Sequence, residues 1–174
     1  MLRWVVLFCA VFALAKSQST AVSKCRANPG NLPLNTHIEG CTIPPCGLPQ
    51  LEDAVINISF KAPRDIQSMR TLATAYLSLG IISLPVPYDL EEQSVTCNFL
   101  TDAACPLDAD QIAQYTLKMH IEKIFPVGIS VTIEFRVVDQ DNAPVLCLRV
   151  PVRIDPPRNN AAANNVVVGE LEQY

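Results

Sequence analysis

Ile129-Ser130-Val131-Thr132-Ile133-Glu134-Phe135-Arg136-Val137 sets apolar and polar side chains in strict alternation. Successive side chains of a strand point to opposite faces, so this segment buries Ile129, Val131, Ile133, Phe135 and Val137 on one side and wets the other. Leu146-Cys147-Leu148-Arg149-Val150-Pro151-Val152-Arg153-Ile154 repeats the pattern, with Leu146, Leu148, Val150, Val152 and Ile154 facing inward. Asp139-Gln140-Asp141-Asn142 lies between them and is turn chemistry, which predicts a hairpin. Pro151 lacks a ladder donor and is expected at an edge or a bulge.

Working outward, the same period recurs. Tyr115, Leu117, Met119 and Ile121 alternate with Thr116, Lys118, His120 and Glu122, and Ile56, Ile58 and Phe60 alternate with Val55, Asn57 and Ser59. A further strand is predicted from about Thr71 to Leu79, stopping near Gly80. In Leu84-Pro85-Val86-Pro87-Tyr88 the two prolines are expected to prevent regular pairing and leave an extended edge or loop segment. No convincing amphipathic helix interrupts these strands. Short alternating strands separated by turns predict an all-β chain, an antiparallel β-sandwich of the immunoglobulin-like kind.

The chain has 174 residues, 49% hydrophobic and 17% charged, with a formal charge of -4. That is the length of one domain, with ample apolar material for a core. The mildly acidic balance argues against a nucleic-acid partner, which would need clustered Lys and Arg. Met1-Leu2-Arg3, the apolar run Trp4 to Leu14 and Ala13-Leu14-Ala15 read as a secretory signal peptide over residues 1–15. Residues 16–155 are then the domain. Residues 156–174, with Pro156-Pro157 and the Asn- and Ala-rich stretch that follows, show no apolar period and are expected to form a disordered tail.

Of the seven cysteines, Cys9 falls within that signal, which leaves an even number in a chain bound for an oxidising compartment. Proximity suggests Cys41-Cys46 and Cys97-Cys105, and Cys25 would then tie the start of the domain to Cys147. By the chain-entropy model that long loop contributes about 4 to 5 kcal/mol, less any native strain. A metal site is not expected, because neither His37 nor His120 sits at ligand spacing with other donors. Nor is catalysis: the cysteines look bridged, no nucleophile elbow or His-Glu-x-x-His helix is present, and Glu91-Glu92, Asp108 and Asp110 lie in turn-like stretches. Asn57-Ile58-Ser59 is an N-glycosylation sequon on the polar side of its strand.

The cysteine order is combined with distinctive surroundings: Gly40-Cys41-Thr42-Ile43-Pro44-Pro45-Cys46-Gly47-Leu48, Asn57-Ile58-Ser59-Phe60, Leu84-Pro85-Val86-Pro87-Tyr88, Cys105-Pro106-Leu107 and Leu146-Cys147-Leu148-Arg149-Val150-Pro151-Val152. From Cys25 to Ile154 this resembles the lipid-recognition (ML) family, in particular its soluble Niemann-Pick type C sterol-transfer members. The resemblance implies a two-sheet sandwich with an internal hydrophobic pocket, and the same three disulfides. It implies that Val86 and Tyr88, then Ile121 and Phe125, line the pocket mouth, and the alternation adds Leu117 and Met119 to the inward face. Tyr88 is the candidate partner for a polar end group. Where sterol carriers of the family have tryptophans, this chain has Phe135 and Leu148, and His120 stands in place of a proline.

The function so implied is a secreted lipid-binding and transfer protein for a sterol or fatty-acid-like ligand, without cofactor or enzymatic activity, expected to be a monomer. It would act in extracellular fluid or the endolysosomal lumen and make transient membrane or receptor contact. The alternatives are an innate-immune protein that presents microbial lipid to a receptor, or a semiochemical carrier.

Overall fold

The computed structural model describes residues 19–80 and 82–158. The predicted signal peptide, and the predicted tail from residue 159 onward, lie outside the described residues. Among the described residues nine strands follow in chain order: β1 (Ser23–Lys24), β2 (Asn35–Ile38), β3 (Cys46–Pro49), β4 (Asp53–Lys61), β5 (Met69–Leu79), β6 (Ile82–Tyr88), β7 (Ile112–His120), β8 (Ser130–Asp139) and β9 (Pro144–Asp155). Two single 3-10 turns, Glu91–Ser94 and Thr96–Phe99, lie between β6 and β7.

The strands form two sheets of unequal size. The larger runs β1-β9-β8-β5-β6, with β3 also on β9, and the smaller runs β2-β4-β7. Every pairing is antiparallel except β3 with β9, which is parallel. Four-residue β3 occupies the end of β9 that two-residue β1 leaves open: Lys24 pairs with Leu148, whereas Cys46 pairs with Val152. Pro151 falls at the changeover between these partners. It therefore lies inside the sheet at the junction of two short neighbours; the register irregularity in the β8-β9 pair is elsewhere, between Val137 and Val138.

The prolines of β6 also behave differently from the expectation. β6 pairs with β5 in unbroken register from Ile82↔Leu79 to Tyr88↔Ala73, straight through Pro85 and Pro87. An edge strand needs only every second amide for its one neighbour, and both prolines occupy the other parity.

The inward faces meet as the alternation requires. Ile56, Ile58 and Phe60 of β4 and Ala113, Tyr115 and Leu117 of β7 are buried against Phe135 and Val137 of β8 and Leu146, Leu148 and Val150 of β9. Phe60 and Tyr115 pack edge to face with centroids 6.4 Å apart, and Phe135 lies directly opposite Leu148. The Tyr115 hydroxyl shares a hydrogen bond with Thr71 Oγ1 at 3.3 Å, which is 2.8 Å from Thr96 Oγ1. Burial pushes the Tyr115 hydroxyl up to about 12, only partly offset by Thr71, so it stays neutral.

Three disulfides close the chain: Cys25–Cys147, Cys41–Cys46 and Cys97–Cys105. Gly30 shows how tightly the first of these is packed. A Cβ there would lie 2.7 Å from the Cys147 Cβ and 2.8 Å from its amide, at a φ of +148° that only glycine adopts readily.

Candidate functional site

The interior is solid toward Phe60 and Tyr115 and hollow toward Ala73 and Ala75. Along β5 the inward positions beside the cavity are Ala73, Ala75 and Leu77, and the two alanines end at Cβ between larger neighbours, Ala73 between Phe135 and Tyr88 and Ala75 between Ile133 and Val86. The sheets do not close over this deficit, because a core keeps a void when the framework cannot collapse onto small side chains. A cavity of about 260 Å³ results. One wall is Ala73, Ala75, Leu77, Val131, Ile133 and Ile154, and Leu48 of β3 adds to it. Met119 comes from the smaller sheet, and Ile121, Phe125, Pro126 and Ile129 come from the segment between β7 and β8. The accessible wall is wholly apolar.

At the β6 edge of the larger sheet the cavity is bordered by partly exposed side chains. Val86 and Tyr88 of β6 form one lip and Phe125 the other, with the Tyr88 and Phe125 rings 5.8 Å apart and tilted by 54°. The Tyr88 hydroxyl donates to the His120 carbonyl at 3.3 Å. Outside this lip is a smaller, polar pocket of about 140 Å³ that shares Tyr88 and Met119 with the cavity and adds Asp89, Glu91, Gln93, Lys118, His120 and Glu122. His120 Nδ1 lies 2.8 Å from Asp53 Oδ1. Burial raises the Tyr88 pKa, and the carboxylates of Glu122, Glu91 and Asp89 add to the effect, so the hydroxyl is held neutral.

Five of the six residues expected at the pocket, Val86, Tyr88, Met119, Ile121 and Phe125, line one cavity. Leu117 does not: it is completely buried one inward position further along β7, in the solid half, where it stands opposite Ile56 of β4. Sequence reasoning did not name Ala73, Ala75, Leu77, Val131, Ile133 or Ile154 as pocket residues. Inward alanines in a strand whose partners carry larger side chains were the available signal. Asn57 sits mid-strand on the outer face of the smaller sheet, half-buried, and its Oδ1 accepts a hydrogen bond from Thr116 Oγ1 at 2.7 Å.

The ML domain family model matches residues 19–154. The chain belongs to the ML-domain family. Among curated relatives, this ML domain is 23% identical over 149 residues to the NPC intracellular cholesterol transporter 2 of Bos taurus, covering 86% of this chain and 94% of that protein. It is 24% identical over 156 residues to the NPC intracellular cholesterol transporter 2 homolog a of Drosophila melanogaster, covering 88% and 99%. Among solved structures, a Niemann-Pick type C2 protein from Japanese carpenter ant superposes with a TM-score of 0.62 at 20% identity, covering 78% of this chain and 99% of that one, which shows the shared fold.

Proposed function

We propose that this ML domain is a non-catalytic carrier that takes one lipid molecule tail-first into the space between its sheets. The observation that carries the reading is the wholly apolar cavity that opens between Tyr88 and Phe125. Each methylene moved from water into such a wall contributes about 0.8 kcal/mol, so a sterol skeleton or long acyl chain gains enough to offset the cost of association. The relatives named as cholesterol transporters support the same class of ligand. At about 260 Å³ the cavity is slightly smaller than the roughly 300 to 1,000 Å³ of typical small-molecule pockets. Loading therefore requires the cavity to widen as the Phe125 lip moves away from Tyr88.

The polar end of the ligand would meet Tyr88, a neutral hydroxyl among Asp89, Glu91 and Glu122, with Lys118 and the His120-Asp53 pair on the far side of the same pocket. Carboxylates in excess repel a carboxylate headgroup, whereas an alcohol can exchange hydrogen bonds with Tyr88 at no electrostatic cost. The preferred ligand is an uncharged lipid alcohol, a sterol or a long-chain alcohol. Secretion through the predicted signal peptide, N-glycosylation at Asn57 and delivery to extracellular fluid or the endolysosomal lumen complete the proposal.

The test is lipid extraction and mass spectrometry on protein purified from a eukaryotic secretion medium, followed by competition between a long-chain alcohol and the fatty acid of equal length. One equivalent of lipid, with the alcohol retained over the acid, is expected. A protein that emerges empty and refuses sterols, alcohols and acids alike overturns the carrier reading, and preference for the acid overturns the headgroup assignment. Glycosylation predicts that the mature parent is heavier than its Asn57→Gln variant by a glycan mass that an amidase removes.

A further inference from the structure

The lip that carries Phe125 is held from outside the cavity. Between Ile121 and Ile129 the chain leaves the sheets, exposing Ile124 and Val127 to solvent. Its own internal bonds are two long ones, Phe125 N–H to Glu122 O at 3.2 Å and Ile129 N–H to Pro126 O at 3.3 Å. Gly128 N–H to Ile154 O at 2.8 Å ties its far end to β9, and the turn between β3 and β4 restrains the rest. Leu51 N–H donates to Ile121 O at 2.7 Å and Ile121 N–H donates to Glu52 O at 2.9 Å. Gln50 extends its carboxamide past these, so that Nε2 donates to Lys123 O at 3.2 Å and to Phe125 O at 2.5 Å. Gln50 is itself only 8% exposed, and its backbone N–H is fixed to Asp155 O at the end of β9 at 3.0 Å. One side chain thus connects the larger sheet to the two carbonyls that flank and carry the Phe125 lip.

From this geometry we infer that Gln50 is a positioning residue, the latch that holds the Phe125 lip shut and sets the rate at which lipid enters and leaves. The inference rests on the carrier reading for the word lipid, but the latch itself exists in the empty protein. Both donors come from a single NH2 group, so one substitution releases the lip from both carbonyls. Leu51 and Glu52 act through backbone atoms and would still tether Ile121, which confines the loosening to residues 122–127. A gate that opens more often speeds entry and exit together and leaves the equilibrium affinity nearly unchanged. A residue that merely supported the wall would weaken affinity and leave association untouched.

The experiment compares parent, Gln50→Leu and Gln50→Asn by hydrogen exchange without lipid, then by stopped-flow transfer of dehydroergosterol or cis-parinaric acid, whichever the parent binds, to phosphatidylcholine vesicles. Leu matches Gln in size without donating, and Asn keeps the amide on an arm too short to span both carbonyls, so one of the two reports even if the other folds poorly. Expected in both is exchange at the Phe125 amide, the hydrogen-bonded N–H of this segment, faster by about tenfold, the effect of losing two ordinary hydrogen bonds. Association and dissociation should rise by similar factors while affinity moves by less than about threefold. Unchanged exchange overturns the latch whatever the lipid result. Faster exchange with unchanged lipid rates, or with affinity lost at constant association rate, overturns the gating role. A parent that binds neither probe nor any extracted lipid sinks the carrier reading, and the gating role with it, even where the Phe125 amide responds.

Discussion

Val86 shows how one residue can serve two environments: it lines the cavity with one side and is 41% exposed on the other. Because it is not locked in the solid core, a larger side chain there can swing into the void without displacing a sheet. Val86→Trp should therefore keep the thermal midpoint near that of the parent and weaken lipid retention by at least about tenfold, as read by competition with a fluorescent sterol. Ile121, almost fully buried, would be a poorer site for this test, since a charge there destabilises the fold as well. Asp139 is the opposite case, a residue whose charge serves stability alone. Burial opposes its ionisation, but the amides of Ala143 and Asp141 and the Arg64 guanidinium outweigh that and hold the carboxyl below the usual range. The stabilisation is complete above the unfolded pKa of about 3.9 and is lost as pH falls through the lower folded value. Asp139→Asn should cost about 1 to 2 kcal/mol at neutral pH, the half-exposed Arg64 contributing little of it. Its stability should also decline less than the parent's between about pH 4 and pH 2, which denaturant titrations at several pH values would measure.

At the scale of strands, β9 is the element on which the rest depends: it pairs with β1, β3 and β8 and carries Cys147. The Cys25–Cys147 bridge spans a sequence separation of 122. Replacing both cysteines with serine should lower stability by about 3 to 4 kcal/mol, less than the full chain-entropy figure because the strand pairs persist, and chemical denaturation would show it. Period-two alternation made β4, β7, β8 and β9 legible from the sequence, since each places its apolar side chains on one face. It did not reveal β3, whose Cys46-Gly47-Leu48-Pro49 is too short to show a period and pairs with a strand about a hundred positions away. The cavity was legible as five residues of its wall, from the family resemblance and the alternation of β7. Its volume was not, because a void belongs to the fit between distant strands and not to any one of them. Gln50 was missed for a related reason: a glutamine beside Pro49 and Leu51 reads as a wet turn, and only the fold brings two carbonyls over it.

For the molecule as a whole, every residue of the cavity wall lies between Leu48 and Ile154. The only described contact of residues 156–158 with an acidic side chain is the ion pair of Arg158 with Glu52, on the outer side of the turn that bears Gln50. A chain ending at Arg158 should bind the same lipid with affinity within about twofold of the full chain, since an exposed ion pair contributes little and remains intact, and lipid titration would report it. A marked loss would assign residues 159–174 a part in binding. The asymmetry of the two sheets bears on something other than loading. The larger sheet has six strands against three, and among the described residues β6 is a border strand, paired only with β5, that displays Ile82, Leu84 and Val86. A bare apolar border of this kind invites a second chain to add itself strand by strand, the first step toward fibrils. Pro85 and Pro87 occupy the positions whose amides would have faced such a newcomer, so the border has lost donors on its outward side. The same pair of prolines that leaves the hairpin ladder whole thus disfavours polymerisation through this edge.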